Sequence, residues 1–180
     1  MCQYRQSTIL DIEASETRKA PQQSRELTVA FAVTKGDKPD LVVQKLTELG
    51  IEHIVPLITE RCIVRWDEDK GSKNQIRWQK IAREAAMQSR SVTIPQVHKV
   101  FLSLEAFVAS QGPDVAFAEP GGQSIDSATS VIVIGPEGGF THQELALSQQ
   151  RVSLPGGILR SETAAVAAAV LMSQQRVQHG

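Results

Sequence analysis

The sequence predicts an α/β fold built on a parallel sheet, and three observations carry that expectation. Leu27–Val33, a helix opening at Pro39-Asp40, and Ile51–Ile58 follow one another as strand, helix and strand, a βαβ unit with a right-handed crossover. Val131-Ile132-Val133-Ile134 is a β-branched run suited to a strand covered on both faces. Three strands run into Pro/Gly-rich stretches at Glu119–Gly122, Gly135–Gly139 and Pro155–Gly157. In a parallel sheet these ends share the edge where α/β proteins bind ligands.

Taken in order, residues 1–26 are polar, with Ile9, Leu10 and Ile12 as a candidate strand and Pro21-Gln22-Gln23-Ser24 as a linker. In the first helix Val42, Leu46 and Leu49 share one face, and Gly50 ends it in the left-handed conformation. A loop over Asp67–Ser72 precedes a helix expected at 73–89. Ile81, Ala82, Ala85 and Ala86 form its small apolar side, and Arg77, Lys80, Arg83 and Glu84 face water or a partner. Val97–Phe101 reads as a strand, Ser103 as the cap of a helix Leu104–Ser110, and Asp114–Ala118 as a strand. After Val131–Ile134 and its glycine loop, Thr141 and Glu144 form a capping box that starts another helix. Arg151–Leu154 is the last strand, and Ser161 is expected to cap the helix Glu162–Gln175. That helix is small and apolar nearly all round (Ala164, Ala165, Val166, Ala167, Ala168, Ala169, Val170, Leu171). It suits burial in the core or against a second copy of itself.

Composition narrows the function. A chain of 180 residues is one domain, or one domain with an appendage, and 41% apolar residues can build a core. The net charge is −1, but residues 61–100 hold nine Lys/Arg against four acids, net +5, leaving −6 on the remainder. Such a local basic surface meets a polyanion or is simply a solvated helix face. Cys2 and Cys62 make neither a disulfide framework nor a metal site, and the four histidines lack ligand spacing. No apolar run reaches the roughly 18 residues of a membrane helix. A cytoplasmic, metal-free protein is expected. The loop at Gly135–Gly139 is neither G-x-G-x-x-G nor a Walker A loop, so its ligand need not carry phosphate. Three backbone-walled loops suit an adenine-bearing ligand gripped by amides and carbonyls.

Ile134-Gly135-Pro136-Glu137-Gly138-Gly139-Phe140, Val152-Ser153-Leu154 and Ile158-Leu159-Arg160-Ser161-Glu162-Thr163-Ala164 resemble the signature of the RsmE family. These are SPOUT-class methyltransferases that use S-adenosylmethionine to modify N3 of a uridine in 16S ribosomal RNA. Gln44-Lys45-Leu46-Thr47-Glu48-Leu49-Gly50, Glu60-Arg61-Cys62 and Glu84-Ala85-Ala86-Met87-Gln88-Ser89 with Pro95 agree, so the similarity runs over about residues 27–175. Members usually begin with a PUA-like RNA-binding domain, of which residues 1–26 would be a remnant, leaving 27–180 as the methyltransferase domain. Where the family has Leu-Gly-x-Arg, this chain has Leu154-Pro155-Gly156-Gly157, and Pro155 removes a backbone donor. It has Ser91 where many members carry a second basic residue.

The resemblance implies a parallel sheet flanked by helices with a C-terminal deep trefoil knot, a homodimer, and the small ribosomal subunit as partner. It implies cofactor contacts from Glu119, Pro120, Gly135, Pro136, Gly138, Leu154, Gly156, Ile158, Leu159 and Thr163. Methyl transfer to uridine N3 needs a proton lost and an anion stabilised. Arg160 either stabilises that anion or pairs with Glu162 or Glu137. Glu137 or Glu162 either holds an arginine or acts as base. Arg61, Gln88 and Arg90 are expected RNA contacts. The alternatives are a SPOUT enzyme acting on a ribose 2′-hydroxyl of another RNA, or a non-catalytic RNA-binding or dimerising remnant.

Overall fold

The computed structural model describes residues 25–179, with side chains from Arg25 to Arg176. The candidate strand at Ile9–Ile12 and the linker at Pro21–Ser24 lie outside the described residues. The elements are β1 (Thr28–Ala32), α1 (Lys38–Glu48), β2 (His53–Leu57), α2 (Glu68–Gln88), β3 (Gln96–Val97) and α3 (Leu104–Gln111). They continue with β4 (Val115–Gln123), β5 (Val131–Ile134), α4 (His142–Leu145), β6 (Gln150–Val152) and α5 (Ser161–His179). The six strands form one parallel sheet in the order β3-β2-β1-β5-β4-β6.

Strand alternation divides the core in two. Val29 and Phe31 of β1 and Ile132 and Ile134 of β5 point to one face, packed with α1, α2 and α5. Ala30 and Val133 point to the other, against Leu104, Phe107 and Val108 of α3 and Phe140. Both faces are covered, as a parallel sheet requires. Trp78 of α2 is 1% exposed, stacks on Trp66 at 5.7 Å and donates its indole N–H to Asp40 Oδ1 of α1 at 2.9 Å. That one residue joins two helices to the sheet.

The boundaries differ from the sequence reading most clearly at four places. α2 starts at Glu68 rather than 73, because Asp67 caps it by accepting the Lys70 amide at 2.8 Å. β3 is shorter than Val97–Phe101: side chains of α2 occupy its backbone, Gln79 accepting from Val97 N and Gln75 donating to Val97 O. The predicted loop Glu119–Gly122 lies inside β4, which ends only at Gln123. Ala118 and Gln123 both pair with Val152, so the four residues between them form a large bulge. Ser161 is the first residue of α5, not its cap.

For the terminal helix the structure shows the core alternative on one face. Ala164, Ala165, Ala168, Ala169 and Met172 are buried against α1, β1 and β5, while Val170 is 45% exposed. β6 lies at the sheet edge and α5 over its middle, so residues 153–160 cross from one to the other at the carboxyl ends of β4 and β5. That crossing makes the site. Among the described residues no helix is long and apolar enough to cross a membrane, and no group of three His, Cys, Asp or Glu is placed to hold a metal ion.

Candidate active site

A cavity of about 590 Å³ opens at the carboxyl ends of β4 and β5. Its walls come from three stretches: Ala118–Gly121 of the bulge, Ile134–Gly139 after β5, and Ser153–Leu159 (Pro155 excepted) leading to Ser161 and Ala164 of α5. Glu119, Pro120, Gly135, Pro136, Gly138, Leu154, Gly156, Ile158 and Leu159, to which the resemblance assigns cofactor contacts, all line it. Thr163 does not: it is exposed, about 200° round the helix from Ser161. Pro155, the departure from the family pattern, also stays off the wall. Its missing amide therefore removes no donor from the cavity.

The glycine loop is held from both ends. Gly139, at φ +66°, closes a turn by donating its amide to Pro136 O at 2.9 Å. The capping box is formed: the Glu144 amide donates to Thr141 Oγ1 at 3.2 Å and the Thr141 amide to Glu144 Oε2 at 2.8 Å. The second oxygen of Glu144 accepts the Glu60 amide at 2.8 Å, and Arg61 Nη1 donates to Gly138 O at 2.8 Å. The segment after β2 thus pins the glycine loop, and α4 is a single turn of which Glu144 is the buried residue. Arg61, expected as an RNA contact, is committed at one nitrogen to the cavity wall.

The electrostatics of the cavity are selective. No Lys, Arg or His is among the residues lining it, while two acids are. Burial raises the Glu119 carboxyl above its usual range, opposed by the charge of Arg151. Glu137 is held below that range by a hydrogen bond from its own backbone amide, and further by Lys38 and the charge of Arg160. Arg160 is exposed at the start of α5 beside the cavity. The ion pair foreseen between Arg160 and an acid is made instead by Lys38, whose Nζ stands 3.2 Å from Glu137 Oε1 and 3.4 Å from Glu162 Oε1. Lys38 was missed by the sequence reading, yet a signal existed: it opens α1 just after β1, the neighbour of β5. Gln88 and Arg90 are exposed at the far end of α2, where Arg90 takes φ 54°. They are not part of the cavity.

Such a cavity suits a ligand with apolar and hydrogen-bonding parts and positive charge, and disfavours a phosphate, which needs donors or cations. Comparison with known proteins agrees. The RNA methyltransferase domain family matches residues 21–173. The chain is 33% identical over 174 residues to the ribosomal RNA small subunit methyltransferase E of Rickettsia conorii, covering 88% of this chain and 68% of that one. It is 35% identical over 166 residues to the Bacillus subtilis protein of the same name, covering 82% and 65%. The crystal structure of the Neisseria gonorrhoeae ribosomal RNA small subunit methyltransferase E bound to S-adenosyl methionine matches with a TM-score of 0.72 and 31% identity, covering 83% of this chain and 66% of that one. The chain thus spans about two thirds of the length of these relatives. With a family match over most of its length and identity of this order, the chain belongs to the RNA methyltransferase domain family, among the small-subunit ribosomal RNA methyltransferases E.

Proposed function

We propose that this chain transfers a methyl group from S-adenosylmethionine to N3 of a uridine in 16S ribosomal RNA of the small ribosomal subunit, in the cytoplasm. The carrying observation is the cavity itself: three backbone-rich walls, two acids and no lining cation, a fit to a sulfonium cofactor and a poor one to a nucleotide phosphate. Bound there, S-adenosylmethionine supplies an activated methyl group, and the protein's task is to position and to stabilise charge.

Glu119 sets a carboxylate on the wall against the cofactor's positive charge. The amides and carbonyls of Gly135, Gly138, Leu154, Ile158 and Leu159 grip its adenosine and methionine parts. Arg160, exposed beside the opening, holds the uracil anion that forms as N3 loses its proton. Glu137, held below the usual carboxylate range, is a weak base. Its better role is as ion-pair partner of Lys38. Glu162, whose Oε2 carries no hydrogen bond, is the remaining candidate to accept the proton. Arg61, Gln88 and Arg90 contact RNA, the arginines through phosphates.

Residues 27–180 act as the methyltransferase domain, and 1–26 belong to a PUA-like unit. The crossing of residues 153–160 at the carboxyl ends of β4 and β5 supports a trefoil knot. Ile158 at 98% exposure and Val170 at 45% support a homodimer that covers them.

Calorimetric titration with S-adenosylmethionine, after measuring mass in solution, tests the cofactor reading. One site per subunit of a dimer is expected; a folded protein that binds none would overturn it. Nucleoside analysis of small subunits lacking the modification then tests the product. N3-methyluridine supports the assignment, and 2′-O-methylation replaces it.

A further inference from the structure

Three distant parts of the chain meet on one ammonium group. Lys38 is the first residue of α1, Glu137 lies on the loop after β5, and Glu162 sits in the first turn of α5. Lys38 Nζ is 3.2 Å from Glu137 Oε1 and 3.4 Å from Glu162 Oε1. Glu162 has a side chain only 14% exposed, and among the described residues Lys38 is the one cation within ion-pair distance of it. Its second oxygen is buried without a hydrogen bond, so the neutralisation of this carboxylate rests on Lys38. Glu137 and Ser161, the neighbour of Glu162, both line the cavity. A carboxylate on the cavity wall and one beside it are therefore held together through one lysine, and without it they repel.

We propose that Lys38 is a positioning residue: its ammonium clamps the Gly135–Gly139 loop to the start of α5 and so sets the width of the cofactor cavity. Lys38 itself does not line that cavity. It acts on the ligand only through the two acids. Pro39, buried at the next position, fixes the backbone from which the lysine reaches. An isolated exposed ion pair is worth little. This one differs in joining two separate segments of the chain and in relieving a repulsion that its removal exposes.

The inference rests on the proposed binding of S-adenosylmethionine in this cavity, and the experiment separates the two. Affinity for S-adenosylmethionine is measured by calorimetry on the whole chain for wild type, K38M, K38Q, K38R and K38M/E162Q, at low and high salt. Failure of wild type to bind overturns the cofactor reading and this inference with it. With wild type binding, K38M and K38Q are expected to bind about fivefold more weakly, and K38R is expected to restore binding. The K38M/E162Q pair recovers most of the loss, because the repelling charge is gone. The difference shrinks at about 1 M salt, where the screening length falls to about 3 Å. K38Q keeps the test open if K38M folds poorly. Neutral variants that bind as wild type does, or a loss that neither E162Q nor salt alters, would overturn the clamp.

Discussion

A Cβ atom placed on Gly122 would stand 2.6 Å from the backbone nitrogen of Val152. Real side chains do not come that close, so only glycine lets β4 lie against β6 at this point. The contact closes the bulge that carries Glu119, Pro120 and Gly121 onto the cavity wall. Substituting G122A is expected to destabilise the chain by about 1–3 kcal/mol and to weaken S-adenosylmethionine binding. Denaturant unfolding with a parallel titration checks both; an unchanged midpoint would show that the two strands can part freely.

Glu119 makes cofactor affinity depend on pH. Its carboxyl is raised by burial, so as pH falls it is protonated before Glu137, which is held low. The wall then loses the charge opposed to the sulfonium. Affinity is expected to fall between neutral pH and the region just above the ordinary carboxylate value of 4.5. E119Q should bind about tenfold more weakly at neutral pH and lose most of that dependence. Titrations at a series of pH values decide it, and a parallel decline in E119Q would remove Glu119 as the cause.

Stability should also fall on mild acidification, through a different pair. His53 Nδ1 lies 3.0 Å from His98 Nε2, and His53 Nε2 lies 2.8 Å from Glu26 Oε2. Burial, and then the charge of His53, lower the pKa of His98. Its neutral form is favoured in the fold, so the unfolded chain binds more protons below pH 6.5. The contribution is complete above that value and is lost as pH falls from it through the lower pKa of the folded chain. Two imidazolium rings would moreover set N–H against N–H across the contact. Melting temperatures from pH 8 to pH 5 should decline less steeply in H98Q than in wild type.

Arg160 separates binding from chemistry. It does not line the cavity, so R160A is expected to leave S-adenosylmethionine affinity within about twofold while slowing methyl transfer about 10²-fold, the scale for losing one group that stabilises developing charge. Single-turnover methylation of small subunits reads the rate. A variant of undiminished rate would remove Arg160 from the chemistry.

Much of this could be read from residue patterns. The strands β1, β2 and β5, the helix α1 with its Gly50 stop at φ +75°, and the Thr141–Glu144 capping box are all local, and all appear. Nine of the ten residues to which the family resemblance assigns cofactor contacts line the cavity, and the glycines and prolines at strand ends mark the same edge. Thr163 lies off that wall, since membership of a signature says nothing of helical phase. The bulge was read as a loop because Glu119–Gly122 carries loop residues, and its return into register depends on a strand 30 residues away.

By itself, the sequence determined where most strands and helices lie and which Gly/Pro-rich loops gather at one sheet edge. These properties follow from periodicity, capping and glycine placement over a few neighbouring residues. Only the tertiary structure decided that residues 153–160 cross the ends of β4 and β5, that Glu144 spends its second oxygen on Glu60, and that Lys38 faces two acids far along the chain. Those contacts depend on the order β3-β2-β1-β5-β4-β6. That order follows from how the apolar faces pack together, which no local pattern of residues encodes.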